Sequence, residues 1–367
     1  MPYGSVNADL MTTSDGVSSS GLYGFKNRIL NGQMVIDQRN AGAATANTIS
    51  GYVLDRWQVL QSTTGKLIAQ QNAGAVTPPV GFSNYFGVTS QSAYSIGSGD
   101  YYFIVQYIEG FNFADMAWGT ANASAITISF WVRSSLTGTF GGSLRNATNA
   151  RSYPFTYTIS SANTWTQVSV TIAGDTSGTW VGATNGIGVQ IILGLGVGST
   201  YSGTSGAWAA ANYIGATGAT SVVGTNGATF YITGVQLEKG STATSFDYRP
   251  YPVEFSMCQR YYQKVTTSES GKGIGVGFYY TTTTAIAQIP FQTYMRATPT
   301  ADVNSGTNYF SLFTNGAGDN FDTVSLNEAS TYTAAVTNTT QASGVAGMAG
   351  QFKTNNASAS LAFSAEL

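Results

Sequence analysis

The chain has 367 residues, of which 43% are hydrophobic and only 9% are charged, and its formal net charge is −2. This length predicts about two domains, and the hydrophobic fraction is high enough for packed cores. The Lys and Arg residues are scattered, so no nucleic-acid surface is expected, and no apolar run approaches the roughly 18 residues that cross a bilayer.

Residues 1–25 are polar and rich in Gly and Ser, so they cannot form a core of their own. Either they are a loose terminus, or they form an arm that becomes ordered against a partner. They also lack the charged and apolar regions of a signal peptide. The single cysteine, Cys258, excludes an intrachain disulfide and is expected to be a small buried hydrophobe. The chain is therefore expected to be made and assembled in a cytoplasm.

Residues 26–250 show strand-like alternation and are predicted to form a jelly-roll β-sandwich. The segment 101–108 is apolar on both faces, as expected of a central strand that is covered on both sides. The loop 194–228 is too long for a plain connector, which indicates a functional loop or one packed on a partner. Strands are predicted at 28–36, 54–61, 101–108, 126–133, 166–172, 187–193 and 230–237.

A helical spacer is predicted at 251–265, followed by a second small β-sandwich domain at 266–367. Pro252 suits the first turn of a helix, and Glu254 suits its positive end. An apolar stripe is predicted along this helix at Val253, Met257, Tyr261 and Val265. The strands predicted in the last domain are 273–280, 285–291, 309–313, 331–336 and 345–352, with an alternating end at 361–367. The whole chain is thus predicted to be all-β apart from one short helix.

Catalytic chemistry is not expected. The chain has no histidine, which removes His bases, Ser-His-Asp triads and most zinc sites. Two carboxylate pairs are close in sequence, Glu109 with Asp115 and Asp319 with Asp322, but proximity in sequence does not make a catalytic cleft. The glycine run at 271–277 leads into a strand, and it fits neither a P-loop nor a dinucleotide turn. No cofactor or metal is predicted.

Aromatic side chains give the best signal for binding. On the strand 126–133, Trp131 and Arg133 lie opposite the apolar row, where a flat ring and a guanidinium could stack on a sugar and bond its hydroxyls. The alternative is that a loop or a neighbouring subunit covers this face. Tyr201, Trp208 and Tyr213 in the long loop form a second candidate carbohydrate-binding set.

Several segments carry a resemblance to a known family. FYITGVQLEKGSTATSFDYRPY followed by CQRYYQK resembles a signature of tail-fibre and other receptor-binding-type virion proteins of tailed bacteriophages and prophages. The opening KNRILNGQMVIDQRNAGA with LDRWQV, and the later MRATPT and LAFSAEL, are similar to further parts of such proteins, so the resemblance covers residues 26–367 in patches. It implies a jelly roll similar to carbohydrate-binding modules. Such modules often hold a structural calcium, for which the matching places are Asn31 and Glu238, but only one of them is a carboxylate.

From these features we expect a non-enzymatic bacteriophage virion protein, a tail-fibre or spike component for adhesion to a host-surface glycan. The alternatives are a capsid-decorating or capsid-fibre protein and a glycan depolymerase. The expected partners are two further copies in a homotrimer, other virion proteins through residues 1–25, and the glycan. No nucleic acid and no membrane insertion are expected.

Overall fold

The computed structural model describes residues 26–46, 50–266 and 268–367. The chain divides into two compact units, Met1–Pro250 and Tyr251–Leu367. The predicted arm at 1–25 lies outside the described residues. Short 3₁₀ helices occur at Ala73–Ala75, Gly110–Asn112 and Ala114–Met116.

The first unit contains a six-stranded sheet in which every neighbouring pair is antiparallel. The order across this sheet is β1-β2-β5-β10-β7-β8. The central strand β5 is buried along most of its length, as its apolar sequence predicts. The strands of the six-stranded sheet are β1 Gly51–Leu54, β2 Trp57–Gln61, β5 Tyr101–Glu109, β7 Gly138–Arg145, β8 Ser152–Ile159 and β10 Ile187–Val197.

A five-stranded antiparallel sheet, in the order β3-β4-β13-β6-β9, forms the other layer. Alternate residues of both sheets, such as Ile104 on β5 and Phe130 on β6, meet in one buried core. This arrangement confirms the predicted jelly-roll sandwich, because alternation places one face of each sheet inside. The strands of the five-stranded sheet are β3 Leu67–Gln71, β4 Phe86–Ser90, β6 Ile126–Ser134, β9 Thr166–Ile172 and β13 Thr229–Lys239.

Two predicted strands of this unit differ from the structure. Residues 28–36 form an irregular segment, because Asn31 and Met34 adopt left-handed backbone conformations (φ 53° and 60°) that break a strand. The segment instead bonds to β13, where Arg28 N donates to Leu237 O at 2.8 Å. The predicted strand 54–61 is confirmed in part, because β2 covers its last five residues, whereas its start belongs to β1 and to the hairpin turn at Arg56, with φ 69°.

Hydrogen bonds join the two ends of the described part of this unit, and we call them the end clasp. The carboxylate of Asp247 accepts bonds from the backbone N–H groups of Lys26 and Asn27, at 3.0 and 3.2 Å. Arg249 donates from Nη1 to Ile29 O at 2.9 Å and from Nη2 to Asn27 O. Residues 26–29 and 247–249 are therefore neighbours in space although they are more than 200 positions apart.

The long loop predicted at 194–228 packs back onto its own unit. Its first residues extend β10 to Val197, and two short strands, β11 Ser202–Gly203 and β12 Gly215–Ala216, then pair in parallel. Ser152 of β8 donates from Oγ to Ala211 O at 2.7 Å, and Ile214 is buried with Phe103 and Ile192. The part of the loop around Ile214 thus lies on the outer face of the six-stranded sheet, which points away from the core, whereas Val222 and Val223 are buried in the core itself.

The second unit is also a β-sandwich, with a three-stranded sheet β14-β23-β17 and a seven-stranded sheet β19-β18-β22-β15-β16-β21-β20. Side chains from both sheets, including Phe363 and Phe352, form its core. Its strands are β14 Tyr262–Lys264, β15 Gly273–Thr281, β16 Thr284–Pro290, β17 Thr300–Val303, β18 Phe310–Thr314, β19 Ala317–Phe321, β20 Ser325–Ala329, β21 Thr333–Asn338, β22 Ala349–Thr354 and β23 Leu361–Ser364.

The helix α1 spans Tyr251–Gln259, which is shorter than the predicted 251–265. It ends early because Tyr262–Lys264 pairs with β23 as a strand. Its buried residues are Glu254 and Cys258, whereas Val253 and Met257 are only partly buried, so the predicted apolar stripe was wrong. The predicted burial of Cys258 is confirmed. No helix in the described residues is long and apolar enough to cross a membrane.

Candidate functional site

Trp131 and Arg133 lie on the outer face of the five-stranded sheet, as the alternation of β6 requires. Trp131 is half-buried between Thr233 of β13 and Gln167 of β9, its cross-strand neighbours. It lines a shallow cleft of about 210 Å³ together with residues that include Phe82, Phe246 and Tyr248. We call this space the Trp131 cleft.

Arg133 does not line the Trp131 cleft. Its Nε donates to Asn163 O at 3.0 Å, and its guanidinium carbon lies 5.6 Å from the ring centre of Tyr231. Tyr231 in turn belongs to a small apolar cluster on the same face with Tyr85 and Ala73. The contacts of Arg133 are therefore with a loop carbonyl and a packed ring.

Trp208 belongs to a cluster of aromatic rings. Its ring centre lies 5.0 Å from that of Trp118, 5.6 Å from that of Trp180 and 5.2 Å from that of Tyr153, each in an edge-to-face arrangement. Its Nε1 donates to Ala173 O at 2.8 Å. Such pairs stabilise a fold by about 0.5–1.5 kcal/mol each beyond the area they bury, so the contacts of Trp208 are packing contacts.

Tyr201 and Tyr213 lie in the loop that covers the six-stranded sheet. Tyr213 packs on Gly203 so closely that a Cβ there would lie 2.3 Å from its ring, and its backbone N donates to Ser152 Oγ at 3.2 Å. Tyr201 reaches the open part of the sheet face, where its ring meets that of Tyr101 edge to face at 5.7 Å. The structure therefore separates Tyr201 from Trp208 and from the Trp131 cleft.

The space beside Tyr201 is a cleft of about 260 Å³ on the outer face of the six-stranded sheet, which we call the sheet-face cleft. Tyr101 and Phe103 of β5 and Leu60 of β2 contribute apolar lining, since odd-numbered residues of β5 point away from the core. The loop contributes Tyr201, Asn212 and Ile214. Arg145, the last residue of β7, and Asn149 in the β7–β8 turn complete the lining.

Polar side chains in the sheet-face cleft are fixed by a chain of hydrogen bonds. Arg145 donates from Nη1 to Asn212 Oδ1 at 2.6 Å and from Nη2 to Gln190 Oε1 at 2.7 Å. Gln190 is its cross-strand neighbour on β10 and donates from Nε2 to Asn146 O at 2.9 Å and to Asn149 Oδ1 at 2.7 Å. The cleft thus combines aromatic rings with fixed polar groups, a typical composition for a small-molecule site.

Burial governs the electrostatics of this site. Arg145 is only 6% exposed, and this burial lowers the pKa of its guanidinium to about 10. Its interactions with Tyr107 and Tyr201 raise this pKa and offset part of the effect of burial. The side chain is therefore still protonated at neutral pH. Burial also raises the pKa of the Tyr107 hydroxyl, so this group stays neutral.

Most residues of the sheet-face cleft were not singled out from the sequence. Tyr101, Phe103, Arg145, Asn149 and Asn212 were missed, and of the predicted set only Tyr201 lines this cleft. One signal was present, because strand 101–108 carries rings on both of its faces and one face of a sandwich sheet points outward. Burial of Arg145 depends on the loop that folds over β7, which no local pattern reveals.

The carboxylates considered for catalysis have structural partners. Asp115 pairs with Arg28 at 2.9 Å and with Lys239 at 3.8 Å, and Glu109 is buried at the end of β5. Asp319 accepts bonds from the Tyr279 hydroxyl and from Ser343 N, at 2.9 and 2.8 Å.

Asp322 accepts a bond from Asn308 N at 2.8 Å. Its backbone N also donates to Gln341 Oε1 at 2.8 Å. The carboxylates of both predicted pairs thus contribute to local structure.

The two positions considered for calcium also bond within the protein. Asn31 is fully buried, donates to Ile36 O and Asp55 O, and accepts from Ile36 N. Glu238 accepts bonds from Gln236 Nε2 and from Thr244 N and Oγ1. Within the described residues, no group of three or more acidic or cysteine side chains could hold a metal ion.

Comparison with known proteins finds no matching family model and no matching curated protein. Among solved structures, a family 4 carbohydrate-binding module is 15% identical, covers 57% of this chain and 98% of its own, and has a TM-score of 0.29. A family 11 module from Clostridium thermocellum, in complex with a mixed-linked tetrasaccharide, is 11% identical and has a TM-score of 0.27. The match covers 54% of this chain and 95% of the module. A family 61 module in complex with β-1,4-galactotriose is 7% identical, covers 53% and 100%, and has a TM-score of 0.28.

Proposed function

We propose that this protein binds a saccharide in the sheet-face cleft and uses it for adhesion, without catalysis. The observation that carries the proposal is an open cleft in which the rings of Tyr101 and Tyr201 stand beside the fixed polar groups of Arg145, Asn149 and Asn212. The apolar face of a sugar ring stacks on an aromatic ring, while its hydroxyls bond to carboxamide and guanidinium groups.

In its finer form, the proposal is that the protein is a tail-fibre or spike component of a tailed bacteriophage, assembled in the host cytoplasm, and that the saccharide belongs to the host surface. What supports this part is the resemblance of residues 230–264 and of the opening segment to receptor-binding-type virion proteins. In this proposal the protein is a homotrimer attached to the virion through residues 1–25.

Binding of the purified chain to bacterial surface polysaccharides tests the saccharide part. Replacing Tyr101 or Tyr201 with Ala should weaken binding by about 1–3 kcal/mol, by analogy with aromatic rings that stack on nucleic-acid bases. The matched control is Tyr332→Ala, since Tyr332 is 67% exposed and lies in the second unit. Equal binding by all of these variants would exclude the sheet-face cleft.

Two further assays separate the proposal from its alternatives. Labelled antibody against the chain should mark the tail of a phage particle, whereas labelling of the head would favour a capsid-decorating protein. Incubation with host polysaccharide should release no reducing ends. Release that is lost in Glu109→Gln, Asp115→Asn, Asp319→Asn or Asp322→Asn would favour a depolymerase.

A further inference from the structure

Arg145 carries a buried positive charge that the described residues do not neutralise. Its side chain is 6% exposed, and no carboxylate in ranges 26–46, 50–266 and 268–367 forms an ion pair with it. Its two hydrogen-bond partners, Asn212 and Gln190, are neutral, and its Nε is buried without an acceptor. Buried charges are normally paired, because removal from water costs several kcal/mol per ion.

The hydrogen bonds around Arg145 have only one consistent direction. A guanidinium can only donate, so Asn212 and Gln190 must both turn their amide oxygens toward it. Gln190 Nε2 then donates to the carbonyl of Asn146, which can only accept, and to Asn149 Oδ1. Every amide oxygen in this chain of bonds therefore already accepts one bond from within the protein.

What remains for a ligand is a set of donors. Arg145 uses two of its five N–H groups and its Nε–H is buried, which leaves one N–H on each Nη for a ligand. The amide NH₂ groups of Asn212 and Asn149 donate to no acceptor in the described part of the chain. A cluster of N–H groups around a positive charge matches a group that only accepts and is negatively charged. A neutral hydroxyl would leave the charge of Arg145 unpaired.

We propose that the sheet-face cleft is specific for acidic saccharides, with the anionic group of one sugar held by Arg145, Asn149 and Asn212 and its ring against Tyr101 and Tyr201. This inference rests on the proposed saccharide binding and names the class of ligand. Carboxylate, sulfate and phosphate esters share the required chemistry. A planar carboxylate fits the fork of an arginine, which binds such groups in a bidentate manner.

Calorimetric titration of the full chain tests this specificity with three probes. They are a uronic-acid trisaccharide, the same trisaccharide with its carboxylates reduced to primary alcohols, and a trisaccharide of neutral sugars whose only charged group is one phosphate ester. We expect the uronic-acid form to bind at least about tenfold more tightly than the reduced form, and this ratio to fall as salt is added. If the phosphate probe binds more tightly than the uronic-acid form, the preferred anionic group is a phosphate ester, and this result would also support the proposal.

The decisive variant is Asn212→Asp. Its carboxylate keeps the bond to Arg145 and gives the buried charge a partner, so the fold should be as stable or more stable. The positive charge and one NH₂ donor are then no longer available to the ligand. The affinity ratio of the uronic-acid to the reduced trisaccharide should therefore fall to about one. Asn122→Asp makes the same change of charge at an exposed position outside the cleft and should keep the full preference.

The outcomes separate this inference from the proposed function. If the uronic-acid, reduced and phosphate trisaccharides all bind equally to the wild type, or if Asn212→Asp keeps the preference, the specificity for acidic sugars is wrong while saccharide binding stands. Tyr101→Ala should weaken binding of the uronic-acid and the reduced trisaccharide alike and leave the ratio of their affinities unchanged. If no probe and no surface polysaccharide binds, the proposed function and the inference both fail.

Discussion

At the scale of single residues, Asp55 couples stability to pH. Its side chain is fully buried, and burial raises its pKa from 3.8 to about 6, against the hydrogen bonds donated by Gln38. The carboxyl of Asp55 ionises near pH 4 in the unfolded chain and near pH 6 in the folded chain. Its protonation therefore favours the folded state, and this contribution to the free energy of unfolding is fully present below pH 4. It is lost as pH rises from about 4 to about 6, and two pKa units correspond to about 3 kcal/mol.

Asp55→Asn should remove this dependence. Urea unfolding of both proteins between about pH 4 and pH 7 measures it as a difference of unfolding free energies, so that the titration of other carboxylates cancels. The variant should gain stability relative to the wild type as pH rises to about 6, and the difference should then stay constant. A difference that does not change with pH would contradict a raised pKa.

Two tryptophans that were predicted as binding residues make different contacts, and their replacement should therefore have different effects. Trp208→Ala removes a ring from the cluster with Trp118 and Trp180 and should cost on the order of 3 kcal/mol of stability with no specific loss of binding.

Trp131→Ala should change the melting temperature much less. If the Trp131 cleft binds a saccharide, whole-cell binding should weaken by about 1–3 kcal/mol. A large loss of stability without a loss of binding would assign Trp131 to packing.

At the scale of structural elements, ion pairs differ in their value according to burial. Arg151, just before β8, binds Asp175 after β9 with two bonds, Nε to Oδ2 at 2.8 Å and Nη2 to Oδ1 at 2.6 Å. The side chains are 15% and 2% exposed, whereas Arg28 and Asp115 are 26% and 46% exposed.

Asp175→Ala should therefore cost about 3–5 kcal/mol, because it leaves the Arg151 charge in a largely buried position without its partner. Asp115→Ala is the matched control and should cost less than about 1 kcal/mol, because its partners are exposed and screened by water. Chemical denaturation measures both values. Similar costs for the two variants would show that burial does not set the value of these pairs.

Some strands could be predicted from the sequence and others could not. The strands β5 and β6 match the predicted 101–108 and 126–133 within one residue, because alternation over a buried face is a property of the local sequence. The strands β17, β19 and β20 were missed, since they are short, largely exposed and rich in polar residues. The segment 28–36 has the residues of a strand but is shaped by its contacts with β13, which lies 200 positions away.

The sheet-face cleft was harder to predict for a related reason. Tyr201 stood out as an aromatic residue in a long loop, but Arg145 lies beside a hairpin turn, where a charged residue is usually solvated. Arg145 is buried where the long loop folds across β7 and β8 and Asn212 bonds to it. The jelly roll itself was predictable from the alternating pattern of strands such as β6, β9 and β10, although β3, β4, β7 and β8 were missed. The cleft depends on which loop covers which face.

At the scale of the whole molecule, we expect a homotrimer. A charged fraction of 9% is low for a free surface, and the second unit exposes large apolar side chains, with Val276 at 68% and Tyr280 at 67% exposure. Light scattering should give a mass near three times 38.4 kDa. Deletion of residues 1–25 should leave the trimer intact and abolish incorporation into particles. A single-chain mass at micromolar concentration would exclude the trimer.

A charge at the exposed apolar positions should dissociate this trimer. Tyr280→Lys introduces an ammonium group that an apolar interface cannot accommodate without a partner, so the mass should fall toward one chain at low micromolar concentration. Val80→Lys is the matched control, since Val80 is fully exposed in the first unit. A trimer that survives Tyr280→Lys would mean that the subunits meet elsewhere.

The end clasp has a mechanical consequence. If tension is applied between residues before Lys26 and residues after Pro250, it reaches the first unit at two points that are joined by Asp247 and Arg249. The load therefore passes through a few hydrogen bonds and bypasses the β-sandwich, whose strands are not stretched until these bonds break. Single-molecule pulling should show a small early extension before the sandwich unfolds, and Arg249→Ala together with Asp247→Ala should remove that first step.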